Sequence, residues 1–500
     1  MSAHLSRLAL VLVSLGVSTP ALAGWVGVNG TTCAFSSMQD AINAATPRGQ
    51  IWIAEGVHND DGFVMDKDLE VVRGDSTCAT GGTNNAVLNF NNAGQGEVDE
   101  DVVATFEDVS FENGVGSEGG NLLIGTGADV RIDNPLFAGG EATFGGGIAV
   151  LADAHLEIYG GVFWANNAEQ GGAIYGDTGA LVELKGGLGN DLLFWLNTAD
   201  NLGGAVDCWG CTLSIYEPYG ELGQVSFLDN SSTVAGTDSR GGAIYVQDGT
   251  ATLTDISLSE NSASFGGAIA GLDSEITLDG VTMSSNSADE RGGGVYVYDS
   301  ELEATGCAWS SNSAPRGGGL YTVTSTVLSN TFVTRSVFDD NTATAATTGS
   351  AIDARDAQNL VTLTDSVVSD GHSPTSPGAA IAAQDGVILD IKDSTIADNQ
   401  RWGLASLTGS STTVSGSILW GNSSGGVTGT GSASCSDVQG GVLPGAGNIS
   451  SDPLFINAAG DNYDLNPGSP ARNQCAAHAG TSLDGNSRAG GLSDMGAFNN

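Results

Sequence analysis

The chain has 500 residues, of which 75 are Gly, 58 are acidic and only 15 are Lys or Arg, for a formal net charge of −43. A surface that negative repels nucleic acid and anionic lipid, which argues against DNA, RNA or bare membrane as partners. Helix formers are scarce while Gly, Ser, Thr, Asn and Val abound, so short strands joined by turns are expected, and 40% hydrophobic residues exclude a disordered acidic tail.

Residues 1–23 read as a secretory signal: Arg7 supplies the positive start, Leu8 to Val17 is apolar, and Ala21-Leu22-Ala23 is an A-x-A cleavage site. The apolar run is too short to anchor in a bilayer, and no Cys follows the cleavage point. The protein is therefore expected to be exported, either secreted or at the outer cell surface, without inserting in a membrane, and as a monomer.

Residues 24–82 form the expected N-terminal cap and first coil. Ser37-Met38-Gln39-Asp40 has the form of a capping box, and Met38, Ala41, Ile42 and Ala45 recur at helical spacing until Pro47 and Gly49 stop the run. This predicts an amphipathic helix over 37–46, lying across the open end of a strand stack. Gln50–Ala54 and Leu69–Val72 are the first predicted strands.

From residue 83 to 440 one phrase recurs roughly every 25 to 30 residues: an apolar residue, two spacers and Asn, then Gly-Gly-(Ala/Gly)-(Ile/Val/Leu). It reads Phe163-Trp-Ala-Asn166 then Gly171-Gly172-Ala173-Ile174, and returns at Asn197, Asn230, Asn261, Asn286, Asn312 and Asn341. Around it, residues such as Leu253, Ile256 and Leu258 alternate with polar ones, the period of half-buried strands. Three short strands and three turns consume one period, so successive copies must stack in parallel, with Asn tolerating a left-handed turn and laddering from coil to coil. The insertion between Asn230 and Gly241 is expected to project as a loop.

The F-x-x-N and G-G-A-I phrases resemble the repeats of the chlamydial polymorphic outer membrane proteins and, more broadly, the right-handed parallel β-helix proteins of the pectin-lyase-like superfamily. Met38–Ile42 through Ile51–Gly56 resembles the opening of such proteins. Ser451-Asp-Pro-Leu-Phe455, Asn466–Pro470 and Asp494–Phe498, in the expected closing segment 441–500, resemble the ending of secreted bacterial members. The resemblance implies an all-β fold, a single-stranded right-handed parallel β-helix with an N-terminal capping helix. Unlike the chlamydial proteins, the sequence stops at Asn500 without an outer-membrane barrel, so self-translocation is not expected.

Seven cysteines suit an oxidising compartment. Cys33 and Cys78 bracket the N-terminal segment, Cys208 and Cys211 form a C-x-x-C lacking the second pair a zinc site requires, and Cys435 and Cys475 stand where they would tie down the closing segment. Position suggests disulfides at these six, while connectivity is not readable from sequence. Cys307 takes the place of Val281 and Ile256 in other copies and is expected to be a buried free thiol.

Two functions fit. The first is a non-catalytic surface or extracellular rod for adhesion, display or carbohydrate binding, with an extracellular glycan or cell-surface component as partner. The second is a polysaccharide lyase or glycoside hydrolase. Asp339-Asp340 and Asp370-Gly371-His372 are weak catalytic signals, since adjacent strand residues point to opposite faces and no Arg-x-Lys occurs. The stronger pattern is Arg240, Arg291 and Arg316, each just before its Gly pair, with Tyr245, Tyr296 and Tyr321 just after the following Ile, Val or Leu. Outward Tyr beside Arg would make a stacking platform for a sugar polymer, or merely a stabilising ladder with Asp289 or Glu290 as counter-ions. Arg73-Gly74-Asp75 spells an integrin-type tripeptide of low specificity. No cofactor is expected, apart from weak Ca2+ binding at Asp-Gly turns.

Overall fold

A computed structural model describes residues 24–26, 34–75, 86–187, 189–217, 223–232, 238–325, 329–374, 378–441, 443–476, 480–488 and 492–499. The signal expected at 1–23, Cys33, Cys78 and residues 233–237 of the insertion lie outside these. Three long sheets, all parallel, run the length of the molecule. Sheet A has 16 strands, from Gly24–Val26 to Ser432–Ser434; sheet B has 15, from Gly56–Asn59 to Asp437–Val438; sheet C has 14, from Phe63–Met65 to Gly425–Gly429. Each strand pairs with its counterpart one coil earlier and one coil later, so sequence order and sheet order coincide. At about 4.8 Å per coil the stack is a rod of about 70 Å.

The expected three strands per coil become four between residues 141 and 343, where an eight-stranded sheet D runs from Glu141–Phe144 to Thr342–Ala343. The spacer between each Asn and its Gly pair is itself a strand, marked only by one small inward residue: Ala168, Ala199, Ser232, Ala263 and Ala288 follow one another in register. A lone Ala carries no period-two signal, which is why the spacer looks like a turn in the sequence.

Inside the rod, like stacks on like. Phe111, Phe137, Phe163, Phe194 and Phe227 form a file of parallel rings with centroids 4.5 to 4.9 Å apart, continued by Leu258, Met283, Trp309 and Phe338. Beside it runs the asparagine file. Asn166, Asn197, Asn230, Asn261, Asn286, Asn312 and Asn341 are all buried, and each side-chain amide donates to the next Asn Oδ1 at 2.9 to 3.0 Å. The same Oδ1 accepts the preceding Asn backbone N–H, while Nδ2 also reaches a carbonyl one coil back, as Asn261 does with Phe227. A third file takes over where sheet D ends: the Oγ of Ser336, Ser366, Ser394, Ser417 and Ser436 each accepts a backbone N–H from the coil before, beginning with Cys307.

The turns account for part of the charge. Among the described residues, 16 of the 32 non-glycine residues with positive φ are Asp. A short side chain that bonds its own backbone tolerates this left-handed conformation, and Asp does so nearly as well as Asn. Asp248, Asp273 and Asp299 occupy one such turn in three successive coils.

Both ends are covered. The helix Met38–Ala44 is capped by Ser37, whose Oγ accepts from the Asp40 N–H, and it buries Met38, Ala41 and Ile42 over the first coil. At the other end the closing segment folds back along sheet B. Arg488, fully buried, donates to Asp365 Oδ1 at 2.8 Å and to the carbonyls of Asp494 and Gly496, pinning the Asp494–Phe498 stretch to the rod. Cys435 and Cys475 form a disulfide at a Cα separation of 5.6 Å, as Cys208 and Cys211 do at 5.2 Å, while Cys307 is free and buried, its thiol pushed up to about 12 by burial.

Two outcomes follow from these files and turns. Asn261→Ala leaves the Asn230 N–H and the Phe227 and Asn286 partners unmatched, so guanidinium denaturation should show a loss of about 2–4 kcal/mol, against under about 0.5 kcal/mol for half-buried Ser259→Ala. Asp255→Asn should leave the thermal midpoint nearly unchanged, whereas Asp255→Val should cost about 1–2 kcal/mol because its φ is 53°.

Candidate functional site

The predicted Arg and Tyr columns exist as files. The residues before the Gly pairs follow one another along the edge of sheet D: Leu202, Arg240, Phe265, Arg291, Arg316. The outward positions of sheet C run Tyr175, Asp207, Tyr245, Ala270, Tyr296, Tyr321, Asp353. The tyrosines do point away from the lumen, but they are not exposed. Tyr245, Tyr296 and Tyr321 keep 0%, 5% and 2% of their surface, because sheet D turns a corner against sheet C and its edge residues close over the rings.

The columns therefore form a packed seam and not an open platform. Tyr296 and Tyr321 stack at 5.8 Å, and the Arg291 guanidinium lies 5.3 Å from the Tyr321 ring and 5.6 Å from Phe265. Among the described residues, neither Asp289 nor Glu290 forms an ion pair with these arginines, and Arg291 lies over aromatic faces instead. Burial pushes the Tyr245 and Tyr296 hydroxyls up to about 12. Asp207, wholly buried in the same file with neither carboxyl oxygen hydrogen-bonded, is pushed up to about 8 by burial, which disfavours its charged form. Asp353 is pushed up to about 6 by burial, against the pull of Arg355, which grips it through Nε and Nη2 at 3.1 and 3.2 Å. Phe144, Leu202 and Phe265, apolar at the pre-glycine position, are the sequence signal that this edge is covered.

A second constellation escapes sequence reasoning. On the outward face of sheet A, the register places Arg131 beside Glu157 and Glu183, and Asp133 beside Tyr159, Lys185 and Tyr216. Lys185 Nζ lies 2.5 Å from Glu157 and 3.4 Å from Glu183, His155 bridges Asp129 and Glu183 at 3.0 and 3.1 Å, and Arg131 sits 4.3 Å over the Tyr159 ring. Burial works against the Lys185 charge, but its bond to Glu157 outweighs this and holds the ammonium above its ordinary range. Burial would likewise raise Glu157, yet Lys185 and Tyr159 leave it lowered. Lys185 and Glu157 are thus both held ionised, which suits a fixed lattice better than proton transfer.

The weak catalytic signals fare differently. Asp339 and Asp340 part company: Asp340 lies 3.1 Å from exposed His372, while Asp339 turns toward Asp370 and toward Asp461 of the closing segment. Oxygens of these last three lie within 4.8 Å of one another, and Asp370 is pushed up to about 6, first by burial and then by the Asp461 carboxyl. Arg73 of the Arg-Gly-Asp tripeptide is tied to Asp108 at 3.1 Å.

Two family models match the chain. The right handed beta helix region matches residues 273–440, and the Chlamydia polymorphic membrane protein repeat matches residues 224–247, which span Phe227, Asn230 and Gly241 to Ile244. No curated protein matches the chain. Stacked all-parallel sheets, a buried asparagine file and these two matches together identify the chain as a right-handed parallel β-helix protein whose coils carry repeats like those of the chlamydial polymorphic membrane proteins.

Proposed function

We propose that the protein is a cell-surface or extracellular rod that serves in adhesion or display, without catalysis. The observation that carries this reading is the continuous parallel stacking of sheets A, B and C, with a register shift at Gly349–Ile352 of sheet C, which holds outward residues at fixed heights along a stiff acidic shaft. The repeat it shares with polymorphic membrane proteins supports a surface location, and the Arg7, Leu8–Val17 and Ala21-Leu22-Ala23 pattern in residues 1–23 supports export. Buried tyrosines shift any glycan contact away from the seam and toward aromatic residues that stay open. Trp164 and Trp195, 45% and 39% exposed and 6.3 Å apart on sheet B, are the candidates, paired in register and followed by Leu228.

Enzymatic attack on an extracellular polysaccharide, by a lyase or glycoside hydrolase, is the second reading, favoured by the clustering of Arg131, His155 and Lys185 with Asp129, Glu157 and Glu183 on one outward face. Glycan-array binding by the full-length protein is expected to show retention that falls at least tenfold in Trp164→Ser/Trp195→Ser and is unchanged in Tyr296→Phe. Turnover of pectin, alginate or chitosan by the same preparation would replace the first reading with the second, and no glycan retention at all would limit the rod to display or protein adhesion.

A further inference from the structure

The closing segment meets the rod at a group of carboxylates of which Asp339 is held by the Ser369 hydroxyl at 3.2 Å. Asp339 ends the strand Val337–Asp339. Asp370, one coil on, follows Val367–Ser369 in the left-handed region, with φ 49°. Asp461 comes from far along the chain, at the left-handed end of the short turn Ala458–Gly460, with φ 57°. These three bring oxygens within 4.8 Å of one another, and among the described residues none of them forms an ion pair with Arg, Lys or His. Three anionic groups are thereby held together across two coils and a returning segment, where mutual repulsion alone would drive them apart.

A second observation points into the same space. Tyr463, two residues after Asp461, is 1% exposed, and its hydroxyl makes no hydrogen bond of normal geometry. The hydroxyl lies beside Asp398 and Ser369, at a geometry short of a full hydrogen bond, and within the field of Asp370 and Asp461. Buried hydroxyls are rarely left unmatched, so a missing partner is expected here.

We propose that Asp339, Asp370 and Asp461 bind a divalent cation, with Ca2+ the best fit, and that this ion latches the closing segment to the rod. Oxygens bound to one Ca2+ at about 2.4 Å stand at most about 4.8 Å apart, and the oxygens of these three lie within that limit. The donor set is all oxygen, which selects a hard cation, and the exposed side of Asp461 leaves room for the extra water ligands that Ca2+ takes. The Tyr463 hydroxyl and Asp398 would then complete the surroundings, the hydroxyl bonding to an ion-bound water. The mechanical consequence lies in the residues around the ion. Phe455, Ala458 and Tyr463 of the closing segment pack on Val367 and Ala397 of sheet B, so the ion would reinforce a seam that is otherwise apolar and small.

The test uses the full chain stripped with EDTA, with Tb3+ and Ca2+ as probes. Tb3+ emission excited through Tyr and Trp should saturate and be displaced by Ca2+ more readily than by Mg2+. Ca2+ should raise the thermal midpoint by several degrees and slow amide exchange across residues 455–465. Asp370→Asn and Asp461→Asn, which keep the left-handed turns, should each weaken Tb3+ binding at least tenfold and abolish the Ca2+ shift. Asp273→Asn, an exposed acid at another turn, should change neither. Non-saturating Tb3+ emission, or equal affinity in all three variants, would mean diffuse attraction to the acidic coat and would overturn the proposal. So would a closing segment indifferent to Ca2+ but stabilised by acidification, since Asp370 and Asp461 would then share a proton.

Discussion

A buried amide that has to meet its own kind on the coil above and the coil below leaves little freedom to the rest of the chain. Each Asn of the file offers two donors and one acceptor in a lumen otherwise lined by hydrocarbon, where an unmatched polar group is costly. A coil shifted by one residue would swing its Asn outward and its polar face inward, so register is fixed by polar satisfaction as firmly as by apolar burial. The chain shows this constraint most clearly where the Asn is missing. At Gly114 and Gly140 the amide of Asn121, from a different position in its coil, takes over: its Oδ1 accepts from the Gly114 N–H and its Nδ2 donates to Asn166. At Gly371 the backbone N–H donates to Asn399 directly, and a Cβ there would collide with the Ser350 hydroxyl, which fills the space of the missing side chain.

The architecture was legible because it is repeated. A signal too weak in one copy, such as Leu258 followed by Asn261 and Gly266, becomes decisive when seven copies agree. The capping helix was legible for another reason: Ser37, Met38, Ala41 and Ile42 carry a complete local pattern. What escaped were features made by one element closing over another. Alternation along Ile244, Tyr245 and Val246 correctly turns the ring away from the lumen, but only the path of sheet D decides whether outward means wet. Phe265 at the pre-glycine position hints at that cover, and its meaning appears only once the corner is seen.

The charged groups teach the same lesson at longer range. Arg131, Glu157 and Lys185 are 26 or more residues apart in pairs, unremarked by any motif, yet one register brings them together on sheet A. Asp461 joins Asp339 and Asp370 only because the closing segment folds back along sheet B, a path anchored by Arg488 on Asp365 and by the Cys435–Cys475 bridge. No spacing rule within a coil predicts a contact with a segment that belongs to no coil.

The preference of left-handed turns for Asp has an effect on the scale of the whole particle. A net charge of −43 along about 70 Å is one elementary charge per about 1.6 Å, close to the value of about 1.7 Å for a DNA duplex. At that linear density a rod gathers a condensed cloud of small cations and behaves as a polyelectrolyte. A basic partner lying along it gains the entropy of the ions it displaces, so the grip of such a partner would loosen steeply as the surrounding salt rises.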